Sequence, residues 1–354
     1  MPTSDRGPQT EDFSQNPSIL PHQTLSLRLP AKNSRFPKPS LMVTNDVKLF
    51  SGTTSRYLAE KIADYYGQPL GKMTIDKFSD GEFQPNILES VRGGYVFFIQ
   101  STMFPSDNLM ELLLMIDAAK RASASYITAV IPYFGLARQD RKDKPRVSIG
   151  SKLVAELITA AGANRVVTMD LHADQIQGFF DIPVDHLSST AIYVPYIEEN
   201  LDLKDVIFAS PDVGSTKRNR RYAVHFNTEL VICDKYRKKA NEIAEMTVIG
   251  DVKGKDVIMI DDIVDTGNTL ANAANLMKEK GAKTVRAFCT HPVLSGKAYE
   301  TIENSSLEEI VVTDTIPLKR ESSKIRVVSS AKLFARAIRN THEHRSISSL
   351  FINN

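Results

Sequence analysis

Cysteine is scarce in these 354 residues: only Cys233 and Cys289 occur, each inside an apolar run. Two lone thiols make neither a disulfide framework nor a zinc site, and they suit a reducing cytosol, so a cytoplasmic location is expected. Charge of one sign is lacking as well. The formal net charge is +2, without the global basic field that drives non-specific nucleic-acid binding, so no nucleic-acid partner is expected. No uninterrupted apolar stretch is long enough to span a bilayer, and no membrane association is expected. A Walker A sequence is missing, so any phosphate chemistry needs another cradle. What is present, 42% hydrophobic and 24% charged residues, is the composition of a soluble globular protein with length for two ordinary domains.

The first forty or so residues differ from the rest. Pro2, Pro8, Pro17, Pro21, Pro30, Pro37 and Pro39 sit among Ser, Asn and Gln, a composition too poor in apolar surface to offset its ordering entropy. There is no apolar core segment of a secretory signal. Arg28, Ser34 and Arg35 point towards a transit peptide, whereas Asp5, Glu11 and Asp12 point away from one. Two readings stay open: a disordered segment 1–46, or an upstream extension with Met42 as the natural start.

From Val47 strand-like and helix-like segments alternate. In the first half the expected strands are Tyr95–Ile99, Ile127–Ile131 and Arg165–Met169, with helices over Asn108–Ala122 and Ser151–Ala161. The second half repeats the rhythm. Strands are expected at Val206–Ala209, Leu230–Cys233, Val257–Ile260 and Val285–Cys289, and helices at Thr216–His225 and Asn268–Lys280. Short β-branched runs separated by helices predict α/β architecture, with mostly parallel sheets covered on both faces. Both halves read as one unit used twice, 47–190 and 191–330, joined near Ser188–Tyr193. An amphipathic helix over Ala331–Arg339 opens a C-terminal segment, 331–354, expected to pack on the first unit.

The sharpest local signal is Val257–Leu270. Four apolar residues are followed by Asp261 and Asp262, then by the loop Asp265, Thr266, Gly267, Asn268 and Thr269, where a helix begins. Ligands of open α/β sheets bind at such C-terminal strand ends. Helix-start amides with the hydroxyls of Thr266 and Thr269 suit a phosphate monoester, and Gly267 allows close backbone approach. The two carboxylates would repel phosphate, but they can take vicinal sugar hydroxyls, directly or through a metal. The bland alternative is an ordinary turn capped by Asp265 or Thr266. Adjacent acids at a buried strand end are costly without a ligand.

This loop resembles the ribose-phosphate loop of the type I phosphoribosyltransferase fold. Further segments resemble one branch of it, the ribose-phosphate pyrophosphokinase family: Phe78–Glu82, Pro132–Asp140, Met169–Asp181 and Thr290–Gly296. The resemblance runs from about Val47 to Phe351. It implies two tandem phosphoribosyltransferase-like domains, the first on the ATP side and the second on the ribose 5-phosphate side. Asn268 and Ser215 depart from the family pattern, which has small residues, commonly Gly, at these positions. Neither change removes a charge, so tuning rather than loss is expected.

The resemblance also implies roles. Arg138, Gln139 and Asp143 contact ATP, and Phe78, Asp80, Gly81 and Glu82 reach the nucleotide from a neighbouring subunit. His172, Asp212 and Asp170 are linked to Mg2+, through the ion or its waters. Asp261, Asp262, Asp265, Thr266, Gly267, Asn268 and Thr269 bind ribose 5-phosphate. Lys235 and Arg237 belong to a catalytic loop whose cations would stabilise phosphoryl charge. Read from residue types alone, 138–146 and 234–242 are also acceptable as solvated charged loops, and Lys217–Arg221 as the wet face of a helix. Effector sites for ADP and phosphate would involve Ser90, Arg92, Arg146, Ser346 and Ser348. Family members are homo-oligomers, usually hexamers whose dimers share active sites. A phosphoribosyltransferase and a non-catalytic regulatory subunit remain as alternatives.

Overall fold

The computed structural model describes residues 46–236 and 245–350. The expected catalytic-loop residue Arg237, the N-terminal segment up to residue 45 and the last four residues lie outside the described residues. So does the side chain of Lys235.

The chain opens with β1 (Val47–Ser51), α1 (Arg56–Tyr66), β2 (Met73–Lys77), β3 (Phe83–Ile87), β4 (Tyr95–Ile99) and α2 (Asp107–Arg121). It continues through β5 (Tyr126–Ile131), α3 (Gly150–Ala161), β6 (Arg165–Met169), β7 (Val184–Leu187) and α4 (Thr190–Asn200). Then come β8 (Val206–Ser210), α5 (Thr216–His225), β9 (Leu230–Tyr236), β10 (Glu245–Ile249), β11 (Asp256–Val264) and α6 (Asn268–Glu279). The last elements are β12 (Thr284–Pro292), α7 (Ala298–Glu303), β13 (Glu309–Thr313), β14 (Ile325–Val328) and α8 (Ala331–His342).

Strands β1-β4-β5-β6-β7 form one parallel sheet. Its apolar runs are buried on both sides: Val96 and Phe98 join the core under α2 and α3, while Phe97 and Ile99 join the core under α1 and α8. Period-two alternation between two apolar cores is what a doubly covered sheet requires. A second sheet runs β10-β9-β8-β11-β12-β13-β14, parallel except for β10. Val257 and Met259 face the core that contains α6, and Ile258 and Ile260 face the core that contains α4 and α5. β2 and β3 pair only with each other, as an antiparallel hairpin. This is the mostly parallel α/β architecture expected from the sequence.

In the second sheet the chain moves from β8 to β9 on one side, while β11 lies on the other. Strand order therefore reverses between β8 and β11, and an open α/β sheet forms its ligand crevice at such a point, beyond the strands' C-terminal ends. The first sheet, ordered without reversal, supplies a facing wall. Buried polar contacts clamp the two sets of strand ends together. Imidazole Nε2 of His291 lies 3.1 Å from the Met169 carbonyl and 3.2 Å from that of Asp170. The Ser101 hydroxyl donates to the Thr315 carbonyl at 2.7 Å. Buried Asp314 accepts from the Ser330 amide at 2.7 Å, at the start of α8, and pairs with Lys61 of α1 at 3.1 Å.

One expectation needs correction. The strand expected to end at Ile260 continues to Val264, so Asp261 and Asp262 lie inside β11; Asp261 is in register with Cys289 of β12. β5 ends at Ile131, as expected, because the chain turns there to pack Gly135 on Thr102. A Cβ on Gly135 would stand 2.0 Å from the Thr102 carbonyl oxygen, far inside contact distance. Gly135→Ala is expected to cost ~1–3 kcal/mol, as overpacking does. A thermal midpoint equal to wild type would contradict this packing.

Candidate active site

A cavity of about 700 Å³ opens at the β8/β11 switch point. Its walls carry opposite charge. Asp261 and Asp262 come from β11, Asp212 from the loop after β8, and Lys217, Arg218 and Arg221 from α5. The first sheet contributes Asp170, His172 and Asp174 from the turn after β6, with Asp140 and Arg141 from the turn after β5. Lys217, Arg218 and Arg221 correct the wet-face reading of α5. Spacing of one and four residues gathers them on one side of a helix, and that side faces the crevice. Exposed Arg220 points elsewhere.

His172 Nδ1 lies 2.8 Å from Asp262 Oδ2. Arg218 spans two carboxylates, 3.6 Å from Asp170 and 3.7 Å from Asp262. Burial works against charge on Asp262, but the His172 bond and the Arg218 guanidinium outweigh it and bring the carboxyl down to about 2. Burial and the neighbouring Asp262 charge push Asp261 well above the ordinary carboxylate range. Two adjacent buried acids of this kind share a single negative charge more readily than two. Although burial opposes it, the Asp262 bond raises the His172 imidazole above its ordinary value.

Asp212 accepts from the Ser215 amide at 2.9 Å and its hydroxyl at 3.1 Å, both through Oδ1. Ser215 thus helps to orient Asp212. Asp170 is buried, with φ +38°, and its oxygens are engaged inside the protein by Ser189, Thr290 and Arg218. Among the described residues no three His, Cys, Asp or Glu side chains converge as a metal cage. His172 and Asp212, which line the same cavity, would hold a cation here directly or through its waters. Sparse protein ligation of this kind fits Mg2+, which keeps its waters.

Arg138 pairs with Asp265 at 2.6 Å, and Asp265 also accepts from the Ser295 hydroxyl. A cation expected to bind nucleotide and an acid expected to bind sugar phosphate thus meet directly. Exposed Gln139 and Asp143 stand outside the cavity lining. Gly267 adopts φ +78° as the residue before α6, with Thr266, Asn268 and Thr269 around it. The first-turn amides of α6 have no intrahelical acceptor and face outward from the strand end.

Phe78, Asp80, Gly81 and Glu82 form the tip of the β2–β3 hairpin. Phe78 is 52% exposed, and none of the four lines the cavity of its own chain. Ser90 and Arg92 are exposed before β4. Ser346 and Ser348 follow α8, and Tyr95 at the start of β4 meets His342 edge-on at 5.5 Å, so these two regions adjoin. Arg146, at φ +63°, sits apart in the loop before α3. No helix among the described residues is long and apolar enough to cross a membrane.

Residues 47–162 match the family model described as the N-terminal domain of ribose phosphate pyrophosphokinase. Residues 200–352 match the phosphoribosyl synthetase-associated domain. The ribose-phosphate pyrophosphokinase of Porphyromonas gingivalis is 58% identical over 307 residues, covering 87% of this chain and 98% of that protein. That of Wolinella succinogenes is 55% identical over 306 residues, covering 86% and 99%. The crystal structure of phosphoribosylpyrophosphate synthetase from Mycobacterium smegmatis superposes with a TM-score of 0.80 at 40% identity, over 84% of this chain and 99% of that one. With both halves matched and a relative this similar spanned almost end to end, the chain belongs to the ribose-phosphate pyrophosphokinase family.

Proposed function

We propose that this enzyme transfers the pyrophosphoryl group of ATP to O1 of ribose 5-phosphate, giving 5-phosphoribosyl 1-pyrophosphate and AMP for nucleotide biosynthesis. The observation that carries the reading is the cavity at the β8/β11 switch point, with carboxylates on one wall and an arginine–lysine row on another. Asp261 and Asp262 receive the vicinal hydroxyls of the ribose. The turn Asp265–Thr269 holds its 5-phosphate on the α6 amides. Arg138, Gln139 and Asp143 hold the nucleotide, for which Arg138 must leave Asp265. His172 and Asp212 hold Mg2+ directly or through its waters, and Asp170 supports them from within. When bound, Mg2+ offsets charge on the polyphosphate and draws electrons from the phosphorus under attack.

O1 displaces AMP from the β-phosphorus, so charge grows on the equatorial and leaving oxygens. Lys235 and Arg237 supply cations for it. β9 runs parallel to β8, so the C-terminal end of β9 lies towards the sheet edge that carries Asp212. Lys235→Ala is expected to lower kcat by ~10²–10³-fold, the usual cost of one transition-state donor, with small changes in either KM. Unchanged turnover would remove Lys235 from the mechanism.

Phe78, Asp80, Gly81 and Glu82 complete the nucleotide site of a neighbouring copy in a homohexamer. ADP and phosphate act as effectors through Ser90, Arg92, Arg146, Ser346 and Ser348, and the enzyme works in the cytoplasm. The reaction is tested by product analysis with ATP, ribose 5-phosphate and Mg2+. AMP should appear only when the sugar is present, in equal amount to the pyrophosphorylated product. ADP release would overturn the reading. Absence of turnover would favour a regulatory subunit.

A further inference from the structure

The crevice exists because β8 and β11 part company. They pair from Asp256↔Val206 to Met259↔Ala209, and no further. On its other side β11 stays paired with β12 as far as Val264↔Pro292. The next residue of β11, Ile260, therefore faces the departing strand with a buried amide and carbonyl that have lost their ladder partners. Unpaired buried backbone groups are rare because each costs the bond it lost to water.

One side chain fills both vacancies. Asn219, fully buried on α5, donates from Nδ2 to the Ile260 carbonyl at 2.7 Å and accepts from the Ile260 amide at Oδ1 at 2.8 Å. Its amide thus imitates a peptide unit of the missing strand. The orientation of the amide is fixed by chemistry, since a backbone N–H can only donate and a C=O can only accept. The same Nδ2 reaches the Ser215 carbonyl at 3.0 Å, and Ser215 in turn holds Asp212. The two residues that follow Ile260 are Asp261 and Asp262. Flanking Asn219, Arg218 approaches Asp262 itself.

We infer that Asn219 is a positioning residue for ribose 5-phosphate binding: it replaces the strand partner of β11 where the sheet splits and so sets the direction of the acid pair. The inference rests on the assignment of that pair to the sugar. No other common side chain does the same. Aspartate has the shape but turns an acceptor towards the Ile260 carbonyl, leucine leaves both backbone groups unpartnered, and glutamine is too long for the gap.

The test uses the full-length enzyme, with turnover expressed per folded protein. Asn219→Asp and Asn219→Leu are compared with Ile310→Val, a core change on β13 away from the cavity. Wild type is measured first; if it does not consume ribose 5-phosphate, both the functional reading and this inference fall. Given an active wild type, Asn219→Asp should raise the KM for ribose 5-phosphate by about tenfold, the effect of losing ground-state sugar contacts. Its KM for ATP should stay within about twofold. Ile310→Val should lower the thermal midpoint and change neither constant. Asn219→Leu serves as the second variant should aspartate fail to accumulate as folded protein. Unchanged ribose 5-phosphate KM in the folded variant, or equal increases for both substrates, would overturn the positioning role while leaving the reaction assignment intact.

Discussion

Asp262→Asn is expected to lower kcat/KM for ribose 5-phosphate by ~10²-fold while the protein stays folded. Two losses combine. A hydrogen bond to a charged group contributes roughly 1.5–3 kcal/mol, and about 1.4 kcal/mol is tenfold in rate. An uncharged amide offers the sugar hydroxyl a weaker acceptor. It also loosens His172, which Asp262 holds at 2.8 Å, and that ring sits where the two sheets meet. Asp261→Asn should cost less. Asp261 already tends to hold a proton, because burial and its charged neighbour oppose its ionisation, so the substitution removes less charge. Steady-state kinetics of the two variants side by side checks the asymmetry. Equal losses, or a larger loss at Asp261, would contradict the division of charge within the pair.

Arg218→Met should be the most destabilising change in the cavity wall. Its guanidinium is the cation shared by Asp170 and Asp262. Burial opposes its charge, yet Asp170 and Asp262 hold it firmly protonated. Removing one partner from a buried ionic cluster leaves the others uncompensated, at a cost of ~3–5 kcal/mol. The lower end applies, because the arginine keeps some solvent contact. Arg218→Lys should recover only part of this, since an ammonium cannot span two carboxylates as a planar fork does. Denaturant melts of both variants measure the effect. Methionine at wild-type stability would mean that the acids are neutralised in another way.

Much of the fold was legible in the sequence because its strands are buried on both faces. A run such as Tyr95–Ile99 carries its own identity, and β4, β6 and α5 have the bounds expected from sequence. The β2–β3 hairpin was not legible. Its two short strands do alternate, and Met73 and Ile87 pack on the core under α2 and α3, but Pro85 interrupts one run and is the only buried residue of the pair. The acid pair was legible because two charges directly after the apolar run Val257–Ile260 are conspicuous.

Arg218 and Asn219 were hidden for the opposite reason. A polar stripe on a helix normally faces bulk solvent, and Lys217–Arg221 offers no apolar residue to mark an inner side. Here the inner side faces a charged crevice and a split strand, a circumstance that belongs to the tertiary fold. Spacing alone held the one clue, cations at 217, 218 and 221 on a helix that starts four residues after Asp212.

In the proposed function, the parting of β8 from β11 builds a sugar site on the acid pair and a phosphate site on the following turn. A crystal structure of the complex with ribose 5-phosphate tests it most directly. Density for the 2- and 3-hydroxyls against Asp261 and Asp262, with the phosphate on the Thr266–Thr269 amides, is the predicted result. Sugar density elsewhere, with Arg138 still paired to Asp265 and the turn bare, would contradict it.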